Sequence, residues 1–239
     1  MLGLFVHGYG MDCTYLGHSA FLLETENVYL LFDYTKGSLE LPSVGKPLVV
    51  FASHRHGDHF SPEIFGLAKR KGRTTFVLSS DIATHHAAGL ESVVWLGPYE
   101  EAEVENVAIR TLKSTDEGVA FILEVEGKTL YFAGDLNHWH WNGESEEYNR
   151  QMEEDYHQEL RLLPRSLDVA FIPVDPRLED AYILGAKDLL ERISVTHLVP
   201  MHLWGAYELC ARLAQELKEQ SLTTAVALLH TEPQTWRIV

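Results

Sequence analysis

The chain has 239 residues, of which 46% are hydrophobic and 23% charged, so it has the make-up of an ordinary folded domain rather than a disordered tail, a fibre or a small disulfide scaffold. A formal net charge of −16 sets the surface against phosphate backbones, which argues against nucleic acid as the partner. Two cysteines, Cys13 and Cys210, make no disulfide framework and fit a reducing compartment. The opening MLGLFVHGYGMD lacks the basic and apolar regions of a signal peptide. No apolar run approaches the ~18 residues needed to span a bilayer, so a cytoplasmic protein without a membrane partner is expected. Histidine stands out, with 13 residues, several of them clustered. It is the commonest metal ligand.

In chain order, Cys13–Leu16, Ala20–Glu24 and Val28–Phe32 are short apolar or alternating runs separated by turn-like residues, which predicts three strands. The continuous apolar run Pro47–Ala52 suits a strand buried on both faces. Ser61, Pro62 and Glu63 then open a helix that runs to Lys71 and stops at Gly72. Thr75–Leu78 and Val93–Leu96 read as strands with a short helix from Asp81 between them. Val107–Leu112, Val119–Val125 and Thr129–Ala133 follow, the last two joined by a Glu126-Gly127-Lys128 hairpin turn. Apolar residues at helical spacing predict a helix over Glu144–Leu163, ended by Pro164. Asp168–Ile172 (strand), Leu184–Ile193 (helix), His197–Pro200 (strand) and a helix marked by Ala206, Leu209, Cys210, Leu213 and Leu217 come next. Val226–Leu229 and Trp236–Val239 close the chain as strands. Strand-rich runs interrupted by helices, without repeat or linker, predict one α/β (α+β) domain over residues 1–239 with helices on its outer faces.

The segment that carries chemistry is Ser53-His54-Arg55-His56-Gly57-Asp58-His59, between the buried strand and the helix cap. Alternate histidines in an extended turn point the same way, and four ligand-type side chains within six residues can surround one or two metal ions. Gly57 permits the sharp turn between them.

His54-x-His56-x-Asp58-His59 resembles the H-x-H-x-D-H signature of the metallo-β-lactamase fold superfamily. Leu16-Gly17-His18-Ser19-Ala20-Phe21 with Leu31-Phe32-Asp33 resembles the opening strands of its lactonase-like hydrolases, Tyr131-Phe132-Ala133-Gly134-Asp135 the strand-end Gly-Asp motif and Pro200-Met201-His202 the late Pro-x-His motif, in the same order. The resemblance implies a four-layer αββα sandwich. It further implies two divalent metal ions, zinc first, with Mn or Fe also compatible with an all N/O ligand set. His54 and His56 would serve the first metal, Asp58, His59 and His202 the second, and Asp135 would bridge. The first site's third histidine usually precedes the Gly-Asp motif by about twenty residues. Here that stretch is Lys113-Ser114-Thr115-Asp116-Glu117-Gly118, without histidine. Three arrangements remain open. Asp116, or a hydroxyl of Ser114 or Thr115, replaces it. His138 or His140 reaches back, which is the favoured arrangement. Or the first metal is weak or absent.

The activity that the resemblance implies is that of a binuclear metal-dependent hydrolase: a metal-bound hydroxide would attack an ester, lactone or phosphodiester of a small polar substrate, with Asp58 and Asp135 as catalytic residues. His18, Arg55 and Tyr34 are candidates for substrate or outer-shell contacts, and Trp139, Trp141 and Trp204 for a pocket mouth. His85 and His86 are read as surface residues, and His7, His157, His197 and His230 as structural. An RNA phosphodiesterase of the same fold is opposed by the charge, a di-iron redox protein by His56 where glutamate is usual. A degenerate, non-catalytic metal-binding protein is the reading from another class. A homo-oligomer is compatible with the sequence.

Overall fold

The computed structural model describes residues 10–37, 39–41 and 45–239. The amino-terminal reading and His7 lie outside these residues.

Strands form where the apolar pattern has the period of a pleated chain. In β3 (Tyr29–Phe32) and β4 (Leu48–Ala52) every residue is buried, because both lie inside a sheet covered on its two faces. The alternation is visible in the packing. Leu30, Phe32, Val49 and Phe51 face one core, and Leu31, Leu48 and Val50 face another.

Two seven-stranded sheets result, sharing one plan. The first has the order β14-β1-β2-β3-β4-β5-β6, with β1 Met11–Gly17, β2 Ala20–Glu24, β5 Thr74–Ser79, β6 Val93–Leu96 and β14 Gln234–Ile238. The second runs β13-β12-β11-β10-β9-β8-β7, with β7 Glu101–Val104, β8 Val107–Lys113, β9 Val119–Val125, β10 Lys128–Phe132, β11 Ser166–Pro173, β12 Ser194–Met201 and β13 Ala225–Val226. In each, an antiparallel half (β14-β1-β2-β3; β7-β8-β9-β10) passes into a parallel half (β3-β4-β5-β6; β10-β11-β12-β13).

The sheets meet through aromatic side chains. Phe32 stacks on Phe132 across the interface at 4.6 Å, Phe21 meets Phe171 at 4.8 Å, and Phe51 meets Phe121 edge-on at 5.2 Å. Each such fully buried ring contributes about 1.5–3 kcal/mol over leaving it in water. On the outer face of the first sheet, a 3₁₀ turn (Pro62–Gly66) and α1 (Leu67–Lys71) cover Leu31, Val50 and Leu78 with Ile64 and Leu67. Helices α2 (Glu146–Leu160), α3 (Leu184–Leu190) and α4 (Glu208–Glu219) add Tyr156, Leu189 and Leu213 to the main core. The order of layers is the αββα sandwich implied by the sequence.

Several boundaries differ from the sequence reading. The helix expected over 61–71 is a capped 3₁₀ turn followed by a single α-helical turn, and the one from Asp81 is a 3₁₀ turn at Thr84–Ala87. Strand β7 reads as charged sequence, because it is a sheet edge whose Glu101 and Glu103 face solvent. The strand expected at Val226–Leu229 pairs only at Ala225–Val226, and Leu228 is exposed. The 3₁₀ segment Pro176–Ile183 was not legible. It starts where the Asp175 side chain accepts a hydrogen bond from Arg177 N. Cys13 and Cys210 are buried and unbridged. No helix among the described residues is long and apolar enough to cross a membrane.

Candidate metal centre

The parallel halves of both sheets end at the same rim, and their carboxyl ends carry the chemistry: Asp33 after β3, Ser53–His59 after β4, Asp135 after β10, Asp175 after β11 and His202 after β12. A crevice beyond the carboxyl ends of parallel strands is where α/β sheets place ligands. His18, in the turn between β1 and β2, completes the rim. Its carbonyl accepts a hydrogen bond from His202 N at 3.2 Å.

The local backbone is built for this convergence. His18, Asp33 and His202 have positive φ angles of 48°, 43° and 65°, rare for residues with side chains and held by the surrounding packing. Gly134 (φ +54°) lies so close to β4 that an added Cβ would fall 2.7 Å from Ser53 Cβ.

Two sets of donor atoms gather, each with all its members within 4.8 Å of one another: His54, His56 and Asp135 in one, His18, Asp58, His59 and His202 in the other. Asp135 stands between them. Its Oδ1 lies 3.3 Å from His59 Nε2 and 3.4 Å from His202 Nε2, and its Oδ2 lies 3.5 Å from His54 Nε2. Asp58 Oδ2 lies 3.3 Å from His18 Nε2.

Fully buried carboxylates set the imidazole orientations. Asp33 Oδ2 accepts hydrogen bonds from His59 Nδ1 and Ser53 Oγ, both at 2.7 Å, and its Oδ1 accepts one from Ser53 N at 2.8 Å. Asp175 Oδ2 accepts from His202 Nδ1 at 2.7 Å and from Trp204 Nε1 at 3.1 Å, while Arg177 braces the same carboxylate. With both Nδ1 atoms donating, the neutral rings of His59 and His202 carry their lone pairs on the Nε2 atoms, which lie 3.3 Å apart. Neither aspartate had a role in the sequence reading. The signal that could have found them is a carboxylate immediately beyond a buried strand.

The electrostatics follow from burial. Burial pulls His54 down to about 2 and His202 to about 4, the latter against the pull of Asp175. Burial also opposes charge on His59, but Asp135, Asp33 and Asp58 outweigh it and raise the group to about 9. Asp135 is pushed up to about 7 by burial, with Asp116, Asp33 and Asp58 adding to it and His59 opposing. The His18 ring beside its Oδ2 holds Asp58 well below the usual carboxylate range.

The donor set fits divalent cations. His18 Nε2, His54 Nε2 and Asp135 Oδ1 are buried within the cluster without hydrogen-bond partners. A cation satisfies such atoms. All donors are nitrogen or oxygen, which suits Zn, Mn or Fe.

Two hollows flank the cluster. One of about 470 Å³ is lined by His18, Lys36, Asp58, Phe60, Trp204 and neighbours. A smaller one, about 170 Å³, is lined by Asp116, Asp135, Trp139, Trp141 and Arg177 among others. The Arg177 guanidinium lies over the rings of Trp204 (4.9 Å) and Trp141 (5.7 Å). Of the remaining candidates, Arg55 pairs with Glu117 Oε1 at 2.6 Å, and the Tyr34 hydroxyl donates to Gly37 O, outside the lining of either hollow.

The favoured stand-ins for the missing histidine are not in the first set. His138 Nδ1 bonds Asp188 Oδ2 at 2.8 Å, and His157 Nε2 bonds the same oxygen at 2.7 Å. A buried carboxylate on α3 thus captures the ring of His138. His140 lies with its ring 6.3 Å from that of His138 and is grouped with neither donor set. Asp116 is exposed and reaches only the smaller hollow. His85 and His86 are exposed, and His197 and His230 bond backbone carbonyls, in keeping with surface and structural roles.

Residues 12–202 match the β-lactamase superfamily domain. The chain is 27% identical to a UPF0173 metal-dependent hydrolase of Desulforamulus reducens over 92% of this chain and 96% of the relative. It is 29% identical to another of Opitutus terrae, over 80% and 84%. Among solved structures it is similar to Igni18, a metallo hydrolase of Ignicoccus hospitalis, with a TM-score of 0.69, 19% identity and coverage of 95% and 98%, a likeness of fold. By its domain match and its paired mixed sheets, the chain belongs to the metallo-β-lactamase superfamily.

Proposed function

We propose that this chain is a metal-dependent hydrolase that uses two divalent cations, zinc first, on an ester, lactone or phosphodiester of a small polar molecule. The observation that carries the reading is the convergence of His54, His56, Asp58, His59 and His202 on Asp135, which reaches both donor sets. Hydrolase names among relatives that align with nearly the whole chain support it. Cations bound there would supply Lewis-acid polarisation of the scissile group and a water nucleophile active near neutral pH.

The protein's own groups do the rest. Asp33 and Asp175 hold the His59 and His202 rings with Nε2 inward. Asp58, kept ionised and half-exposed on the larger hollow, orients the attacking water through its carboxylate oxygens. The larger hollow is within the usual range of small-molecule pockets, and its mixed lining of Phe60, Trp204, Lys36 and His18 suits a compact substrate with a polar end. A small-molecule partner is preferred over nucleic acid, given the net charge of −16.

The test is turnover of p-nitrophenyl esters, simple lactones and bis(p-nitrophenyl) phosphate by the metal-reconstituted chain and by Asp58→Ala. Loss of about 10²–10⁴ in rate with the fold retained is expected. Unchanged turnover in the variant rejects the mechanism.

A further inference from the structure

We propose that Glu117 is the third protein ligand of the cation held by His54 and His56, in the place where the family resemblance implies a histidine. The inference rests on the metal-dependent reading above.

The loop 114–118 joins β8 to β9 and is clamped onto the end of β4. Val119 N donates to Ser53 O at 2.9 Å. Gly118 has φ +71°, and a Cβ there would fall 2.1 Å from Ser53 O and 2.5 Å from His54 Cβ. Only glycine permits that approach, and the approach fixes the preceding residue over the His54–His56 segment.

Glu117 uses this position. Its Oε1 is anchored by Arg55 Nη2 at 2.6 Å. Its Oε2 lies 3.4 Å from His56 Nε2, is buried, and has no hydrogen-bond partner. A carboxylate held through one oxygen, with the other buried and idle beside a ligand imidazole, is arranged as a monodentate metal ligand. Leaving such an oxygen unsatisfied carries the full desolvation penalty of a charged group, and a cation removes it. Burial on the same side leaves His54 Nε2 without a partner as well.

The alternatives are placed elsewhere. His138 is bound to Asp188, and Asp116 makes no ion pair with His54 or His56 among the described residues. Glu117 does not yet lie within 4.8 Å of all three donors, so binding draws its free oxygen inward by a side-chain rotation about the Arg55 anchor. The first position then has two imidazoles and two carboxylates, Glu117 and Asp135. The exchange of a neutral histidine for an anion offsets one further unit of cation charge in the pair.

The test is a titration of the full metal-free chain with Co²⁺, followed by visible absorption, and with Zn²⁺ by calorimetry, for wild type, Glu117→Gln and Asp116→Asn. Wild type and Asp116→Asn are expected to take two cations. Glu117→Gln is expected to keep one at wild-type affinity and to bind the other more weakly by over ~100-fold, beyond the 10–100-fold typical of losing an outer-shell partner. The variant is near-isosteric, and the ion pair with Arg55 that it weakens is an exposed one, so a melting curve should register little change. Two cations at wild-type affinity in Glu117→Gln, or a loss confined to Asp116→Asn, overturns the assignment and leaves the hydrolase reading standing. A wild-type chain that holds no cation overturns both.

Discussion

Asp33 offers the sharpest test of how the centre is held. Its carboxylate accepts three hydrogen bonds, from Ser53 N, Ser53 Oγ and His59 Nδ1, at 2.7–2.8 Å. Asp33→Asn keeps the shape but has one acceptor oxygen and one donor NH₂. The oxygen can keep Ser53 N, and the Ser53 hydroxyl can turn to accept. His59 must then accept at Nδ1 and carry its proton on Nε2, the atom that faces Asp135 and His202. Every contact is rebuilt, yet the inward nitrogen no longer has a lone pair. Hydrogen bonds to a charged group contribute about 1.5–3 kcal/mol and neutral ones about 0.5–1.5, so exchanging all three costs roughly 3–4.5 kcal/mol of stability. Restoring the ligating tautomer sets the loss in metal affinity at about 10–100-fold, or about 1.4–2.7 kcal/mol. Urea unfolding of the metal-free variant measures the first quantity, and calorimetric titration with Zn²⁺ the second. A variant that loses stability but binds both cations with wild-type affinity would refute the claim that Asp33 fixes the His59 tautomer.

Other consequences follow from the same geometry. Gly118→Ala forces a Cβ into Ser53 O at a positive φ, and should cost more than about 3 kcal/mol in chemical denaturation. His138→Ala should lower stability by about 1.5–3 kcal/mol through the lost bond to Asp188 while retaining two cations by elemental analysis. Loss of a cation instead would return His138 to the ligand set. Burial raises the Asp188 carboxyl, but the bonds from His138 and His157 outweigh it and hold it below its ordinary value. Its contribution is therefore present above the unfolded pKa of about 3.9 and lost as pH falls through the lower folded value. Thermal melts between pH 5 and 2 should show a shallower acid slope in Asp188→Asn than in wild type.

Much of the architecture was legible because its signals are local. The buried run Leu48–Ala52, the alternation in β1 and the Leu209-Cys210-Leu213-Leu217 spacing of α4 each follow from the period of one element. The motif His54-x-His56-x-Asp58-His59 was legible for the same reason, since one turn carries all four side chains. The edge strand β7 was not, because a strand with one open side has no need of a continuous apolar run.

What escaped the sequence depends on which strand ends become neighbours. Asp33 meets His59 across 26 residues, Asp175 meets His202 across 27, and Arg55 meets Glu117 across 62. No spacing rule connects such pairs, and sheet order alone brings them to one rim. His138 shows the converse. Its alternation with His140 and its place after Asp135 suggested a ligand, but a carboxylate 50 residues on, presented by α3, takes the ring. The sequence by itself determined most of the elements and the fold family, because periodicity and short motifs are properties of contiguous chain. Only the tertiary structure decided which carboxylate orients each imidazole and which loop residue faces His56, because those partners are chosen by packing between distant segments.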